Sequence, residues 1–145
     1  MSRGGLLVMA GGGHSHALVL KRWGMKPEQR PKQSIVLINR CSTALYSGMV
    51  PGLIAGLYRR DELAIDLRQL CDRAGVAFVE AEITGLNPQA KCLRLSDRPA
   101  LHFDWLSLDV GAVSRSSATG IPIKPLEGSL AFLESEDPCD PNPCG

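Results

Sequence analysis

The sequence predicts an α/β fold, a parallel sheet with an antiparallel hairpin inserted into it, and three observations predict it. Leu6-Leu7-Val8-Met9-Ala10 is an apolar run that drives straight into Gly11-Gly12-Gly13-His14-Ser15-His16. Ile35-Val36-Leu37-Ile38 is apolar at every position, as a strand buried on both faces of a parallel sheet must be. From residue 81 to residue 97 the pattern changes to alternation, with Ile83 and Leu86 on one side of Asn87-Pro88 and Cys92, Leu93 and Leu95 on the other. That alternation about a turn is the mark of antiparallel strands.

The elements follow in order. After the first strand and the glycines, residues 15–23 carry Ala17, Leu18, Val19 and Leu20 and predict a helix buried on most sides. Lys21 and Arg22 close it far short of a membrane-spanning length. Residues 24–33 hold two prolines and several charges and predict a connecting loop. The second strand, residues 35–38, ends at Asn39-Arg40. Residues 42–58 are rich in glycine and broken by Pro51, which suits a loop and a short helix lining a ligand. Asp66-Leu67-Arg68-Gln69 has the Asp-x-x-Gln form of a capping box and opens a short helix that stops at Gly75. Val76-Ala77-Phe78-Val79 is a third parallel strand. A second hairpin runs into Leu101-His102-Phe103, and residues 104–110 form a last apolar strand ending at Gly111. Residues 135–145, with three acidic groups, three prolines and two cysteines, have almost nothing to bury and predict a disordered tail. The folded domain is expected over residues 1–134.

Composition narrows the classes of function. The 145 residues amount to one domain. Sixteen basic and fifteen acidic residues leave a net charge of +1 with no long run of one sign, which excludes a basic face for nucleic acid. Five cysteines, an odd number scattered along the chain, argue for a reducing compartment rather than a disulfide framework. With no signal peptide and no transmembrane segment expected, the chain reads as cytoplasmic. His14 and His16 suggest a metal pair, but no convincing third ligand accompanies them, so no metal site is expected.

Strand, glycine turn and helix in that order open a dinucleotide-binding βαβ unit, the core of a Rossmann-like fold. Gly11 makes the tight turn, and Gly13 lets the backbone approach a pyrophosphate where a Cβ would block it. The helix then points its free N–H groups and the positive end of its dipole at the phosphates. The third glycine of G-x-G-x-x-G falls at His16. An imidazole there requires either a helix set further off or a ring aimed at the cofactor edge.

Five motifs in order and spacing carry a resemblance. They are the glycine turn, Tyr46-Ser47-Gly48-Met49-Val50-Pro51-Gly52-Leu53-Ile54-Ala55-Gly56, Ile65-Asp66-Leu67-Arg68, Phe103-Asp104-Trp105-Leu106-Ser107-Leu108-Asp109-Val110-Gly111, and Pro122-Ile123-Lys124-Pro125-Leu126-Glu127-Gly128. Together they resemble the amino-terminal FAD-binding portion of type II NADH dehydrogenase-like pyridine nucleotide-disulfide oxidoreductases. More narrowly, they are similar to the flavoprotein domain fused to selenide, water dikinase in cyanobacteria.

The resemblance implies FAD as cofactor, NAD(P)H as co-substrate, and hydride passed from NAD(P)H to FAD and on to a quinone or other acceptor. It places Gly11, Gly12, Gly13, His14, Ser15 and His16 at the FAD pyrophosphate, Tyr46 and Gly48 beside the isoalloxazine, and Gly111 near the adenosine half. Asn39 replaces the acidic residue that usually holds the ribose hydroxyls, without the charge-assisted strength of a carboxylate. Arg40 beside it leaves open a phosphate-bearing ribose. Lys124 and Glu127 resemble a linker to a nicotinamide domain. Cys139 and Cys144 have the spacing of a redox pair but not its place in that family, and are read as part of the tail.

Catalytic residues are not assigned. A second glycine-rich βαβ unit and a returning Gly-Asp segment are missing. The chain therefore reads as a truncated half, with the carboxy-terminal half or a selenide, water dikinase domain as expected partner. The alternative is a non-catalytic nucleotide-binding module that takes NADP.

Overall fold

The computed structural model describes residues 4–111. The expected tail, Cys139 and Cys144, and the motif at 122–128 with Lys124 and Glu127 lie outside the described residues. The chain forms two compact units. Among the described residues, one holds the chain up to Ala44 together with Ile65–Val110, and the other holds Leu45–Ala64 and Gly111.

The first unit is built on a parallel sheet. Its strands are β1 (Leu6–Ala10), β2 (Ser34–Asn39), the later β5 (Ala77–Glu80) and β9 (Trp105–Leu108), in the order β5-β2-β1-β9. Leu7 faces both Ile35 of β2 and Trp105 of β9, and Val36 faces Ala77 of β5, all in parallel register. Side chains alternate across a strand, so β1 and β2 supply two cores at once. Met9, Ile35 and Leu37 face one way and pack with Leu20, Leu67, Cys71, Ala74 and Val76. Val8, Ala10, Val36 and Ile38 face the other way and pack with Ala81 and Leu93. Both strands are buried on both faces, which is why they read as unbroken apolar runs.

The helical layer comprises α1 (His14–Met25) and, after the excursion into the second unit, α3 (Leu67–Ala74). The α1 helix runs past the expected end and through Gly24. Arg22 lies in its last turn, where a cation favours the helix dipole. Gly24 faces α3, where an added Cβ would make ordinary contact, 3.4 Å from Cβ of Arg73. Pro27 ends the run, because Lys26 before it is held out of helical geometry at φ −133°, ψ 75°. The α3 helix obeys its local signals. The Asp66 carboxylate accepts the Gln69 N–H at 3.0 Å, and Gly75 closes the helix in the left-handed conformation.

The opposite layer is an antiparallel sheet of β6 (Ile83–Asn87), β7 (Cys92–Leu95) and β8 (Arg98–His102), in that order. Leu93 is buried, and Ile83, Leu95, Leu101 and Phe103 pack around it under the parallel sheet. The unit is thus a three-layer α/β structure of Rossmann-like type with an antiparallel insertion.

The chain leaves it through a two-stranded ribbon of β3 (Thr43–Leu45) and β4 (Ala64–Asp66). In the second unit, α2 (Val50–Ile54) follows a single 3-10 turn, and the Tyr46 N–H donates to the Leu63 carbonyl at 2.9 Å. No helix among the described residues is long and apolar enough to cross a membrane.

Candidate functional site

The glycine turn stands at the C-terminal end of β1, beside the ends of β2 and β9. Its three glycines lie against two residues, Asp109 and Leu67. Gly11 has φ +93°, a conformation L side chains rarely adopt, and a Cβ there would overlap the Asp109 backbone carbonyl. A Cβ on Gly12 would overlap the Leu67 side chain. A Cβ on Gly13 would overlap the Asp109 carboxylate.

Two strands pin the turn. The Gly11 N–H donates to the Ile38 carbonyl at 2.8 Å, and the Asp109 N–H donates to the Ala10 carbonyl at 2.8 Å. Asn39 completes the bracing. Its side-chain oxygen accepts the Gly12 N–H at 3.0 Å, and its side-chain nitrogen donates to the Cys41 carbonyl at 2.8 Å. An amide has two N–H donors and two lone pairs on oxygen, so part of its capacity remains for a ligand hydroxyl.

His16 is buried, 4% exposed, and its ring turns inward. Nδ1 lies 2.7 Å from the Gly11 carbonyl and Nε2 lies 2.8 Å from the Ser107 hydroxyl. A carbonyl only accepts, so Nδ1 carries the proton and, in the neutral ring, the Ser107 hydroxyl donates to Nε2. The imidazole therefore ties the turn, α1 and β9 together. His14 and Ser15 form the exposed first turn of α1. Among the described residues, no group of three or more His, Cys, Asp and Glu could hold a metal ion.

The start of α1 has no cap of its own, since Gly13 has no side chain and no acidic residue lies in the first turn. The carboxylate comes instead from β9's end: Asp109 Oδ2 accepts the His16 N–H at 3.0 Å across 93 residues of sequence. Ser107 and Asp109 are the two participants that the sequence reading did not single out. Their signal is visible in retrospect, since an acidic residue closing an apolar parallel strand falls at the crevice outside the strands' carboxyl ends.

The structure thus brings Gly11, Gly12, Gly13, His16 and Asn39 together. Arg40 follows Asn39 in the chain and is exposed. Gly111, two residues beyond Asp109, is exposed with φ +75°. Tyr46 and Gly48 belong to the second unit, where a Cβ on Gly48 would lie 3.2 Å from the Tyr46 ring. Gly52 stands in the same relation to Tyr58, but more tightly. Within that unit, these glycines leave room for the chain's own tyrosines.

No family model matches the sequence, and no curated protein matches it in sequence. Solved structures do match its fold. The sulfide:quinone oxidoreductase of Aquifex aeolicus superposes with a TM-score of 0.62 at 18% identity over 74% of this chain and 24% of that one. Reduced CoADR-RHD of Bacillus anthracis gives 0.64 at 18% identity over 80% and 22%. NDH2 of Plasmodium falciparum, solved in complex with NADH, gives 0.61 at 15% identity over 81% and 24%. At such identities the likeness establishes the fold. The chain spans about a quarter of the length of these neighbours.

The residues fit the pyrophosphate of a dinucleotide on an observation of this chain alone. The side-chain-free Gly13 and the start of α1 already hold one anion, the carboxylate of Asp109, with a charge-assisted hydrogen bond from the His16 N–H.

Proposed function

We propose that the chain is the FAD-binding amino-terminal part of an NAD(P)H-dependent flavin oxidoreductase. The observation that carries this reading is the β1–glycine turn–α1 unit, braced by Asn39 and already seating a carboxylate against the helix start. The neighbours named above support it, two of them being an oxidoreductase that uses quinone and a protein solved with NADH.

Bound FAD supplies the hydride acceptor. The chain's residues hold and orient it. Backbone N–H groups at the start of α1 take the pyrophosphate, and the spare capacity of Asn39 takes a ribose hydroxyl. The Tyr46–Gly48 segment of the second unit is assigned to the flavin ring, and Gly111 to the adenosine half. A quinone or another acceptor receives the electrons in a completed protein, whose remaining part is a carboxy-terminal half or a selenide, water dikinase domain. The cytoplasm is proposed on the sequence alone, and the cysteines do not argue for it, because Cys41 is disulfide-bonded.

Gly13→Val tests the reading. Valine there pushes the Asp109 carboxylate aside and fills the space a pyrophosphate needs. In titrations with FAD, ADP and NADH, the variant is expected to lose at least tenfold in affinity while its circular dichroism stays that of the parent. Equal affinity in both chains overturns the assignment.

The uncharged Asn39 favours one second reading, a module that binds NADP without turnover, with Arg40 on the extra phosphate. Under it Arg40→Ala loses about 1.5–3 kcal/mol for NADPH and nothing for NADH, the scale of a hydrogen bond to a charged group. An unchanged NADPH affinity removes that reading.

A further inference from the structure

We propose that Asp109 is an internal gate on the glycine turn: its carboxylate occupies the phosphate position, and an anionic dinucleotide enters only as that side chain swings out. The inference rests on the dinucleotide reading and adds to it a regulation of the same site.

Three observations carry it. Asp109 Oδ2 accepts the His16 N–H at 3.0 Å, taking one of the donors that a helix start offers to an anion. The carboxylate also fills the space left by the missing Cβ of Gly13, the space through which a pyrophosphate approaches the backbone. Finally, the backbone of Asp109 is immobilised. Its N–H is bonded to the Ala10 carbonyl at 2.8 Å, and its own carbonyl is packed on Gly11.

Release therefore falls to the side-chain torsions alone, with no strand movement. Asp109 is half-buried rather than enclosed, so the freed carboxylate has water to turn into. A phosphate seated against Gly13 would meet the carboxylate at contact distance, where two anions repel strongly in a partly desolvated site. Carboxylate and phosphate thus exclude one another. The first unit supplies its own competitor, and the competitor caps α1 whenever the ligand is away.

The test uses the full 145-residue chain and titrates ADP and FAD, with uncharged adenosine as the control ligand. Asp109→Asn keeps an oxygen able to accept the His16 N–H but removes the charge, so the cap survives and the repulsion does not. Asp109→Asn is expected to bind ADP and FAD at least tenfold more tightly than the parent and adenosine equally. Glu28→Gln, an exposed change of the same charge in the turn after α1, is expected to leave all affinities as they were.

If the parent binds ADP and Asp109→Asn binds it no better, the gate is overturned and the dinucleotide site stands. If neither chain binds ADP or FAD, the dinucleotide reading fails and the gate falls with it. A parent affinity that requires magnesium and vanishes with a chelator overturns displacement, because the carboxylate would then be bridging to the phosphate. A tenfold gain in Glu28→Gln as well would make the effect one of net charge and overturn the gate.

Discussion

His16 stands where a dinucleotide pattern asks for glycine, and its imidazole works as a three-way tie between the turn, α1 and β9. Restoring the pattern should therefore weaken the fold. His16→Gly loses hydrogen bonds to Gly11 and Ser107 and places glycine inside a helix. Urea unfolding is expected to report a loss of about 2–4 kcal/mol; unchanged stability would mean the ring is a passenger.

Cys71 offers a second residue-scale test. It is 1% exposed, and burial pushes its thiol up to about 11. The thiolate, not the thiol, is the nucleophile, so iodoacetamide at pH 8 should label the half-buried Cys92 in the native chain and Cys71 only after unfolding. The native state also holds the Cys71 proton more tightly than the unfolded chain. Its contribution to stability is therefore intact below pH 9 and is lost as pH rises from 9 to about 11. Native labelling of Cys71 at pH 8 would contradict this burial.

Elements with local signals were legible in the sequence. The α3 helix was visible at both ends because its cap and its stop are side-chain and backbone chemistry within one turn: Asp66 on Gln69, and Gly75 in the left-handed region. Asp66→Ala is expected to cost about 1 kcal/mol in urea unfolding, and no loss would show the cap to be idle. The strands β1, β2 and β5 and the antiparallel β6–β8 sheet were equally readable, from unbroken or alternating apolar patterns. The β3–β4 ribbon was not. Its two strands are three residues each, too short for a period to register. The α1 helix outran its expectation because the prolines and charges of residues 24–33 read as a loop from Gly24 on, whereas the helix runs to Met25 and stops only before Pro27. At the site, the backbone of the turn was legible and its partners were not. Ser107 and Asp109 reach it from a strand some ninety residues on, a distance no local pattern spans.

At the scale of the molecule, β1 and β2 are shared by two apolar cores, so damage to either strand propagates to both layers. Leu37 is fully buried at the centre of β2, and Leu37→Ala is expected to cost about 2–5 kcal/mol, measured by urea unfolding. A cost under 1 kcal/mol would contradict a close-packed helical layer. The same central pair carries the site, since the turn hangs from β1, is braced from β2 and is closed by β9. The central claim is that this turn is an anion seat built for a dinucleotide and held in reserve by Asp109. Backbone amide resonances of the whole chain, followed as ADP is added, test it most directly. The account predicts shifts concentrated at Gly12, Gly13, His14 and His16, reached at lower ADP in Asp109→Asn than in the parent. Shifts confined to β6–β8, or none at the turn in either chain, would contradict it.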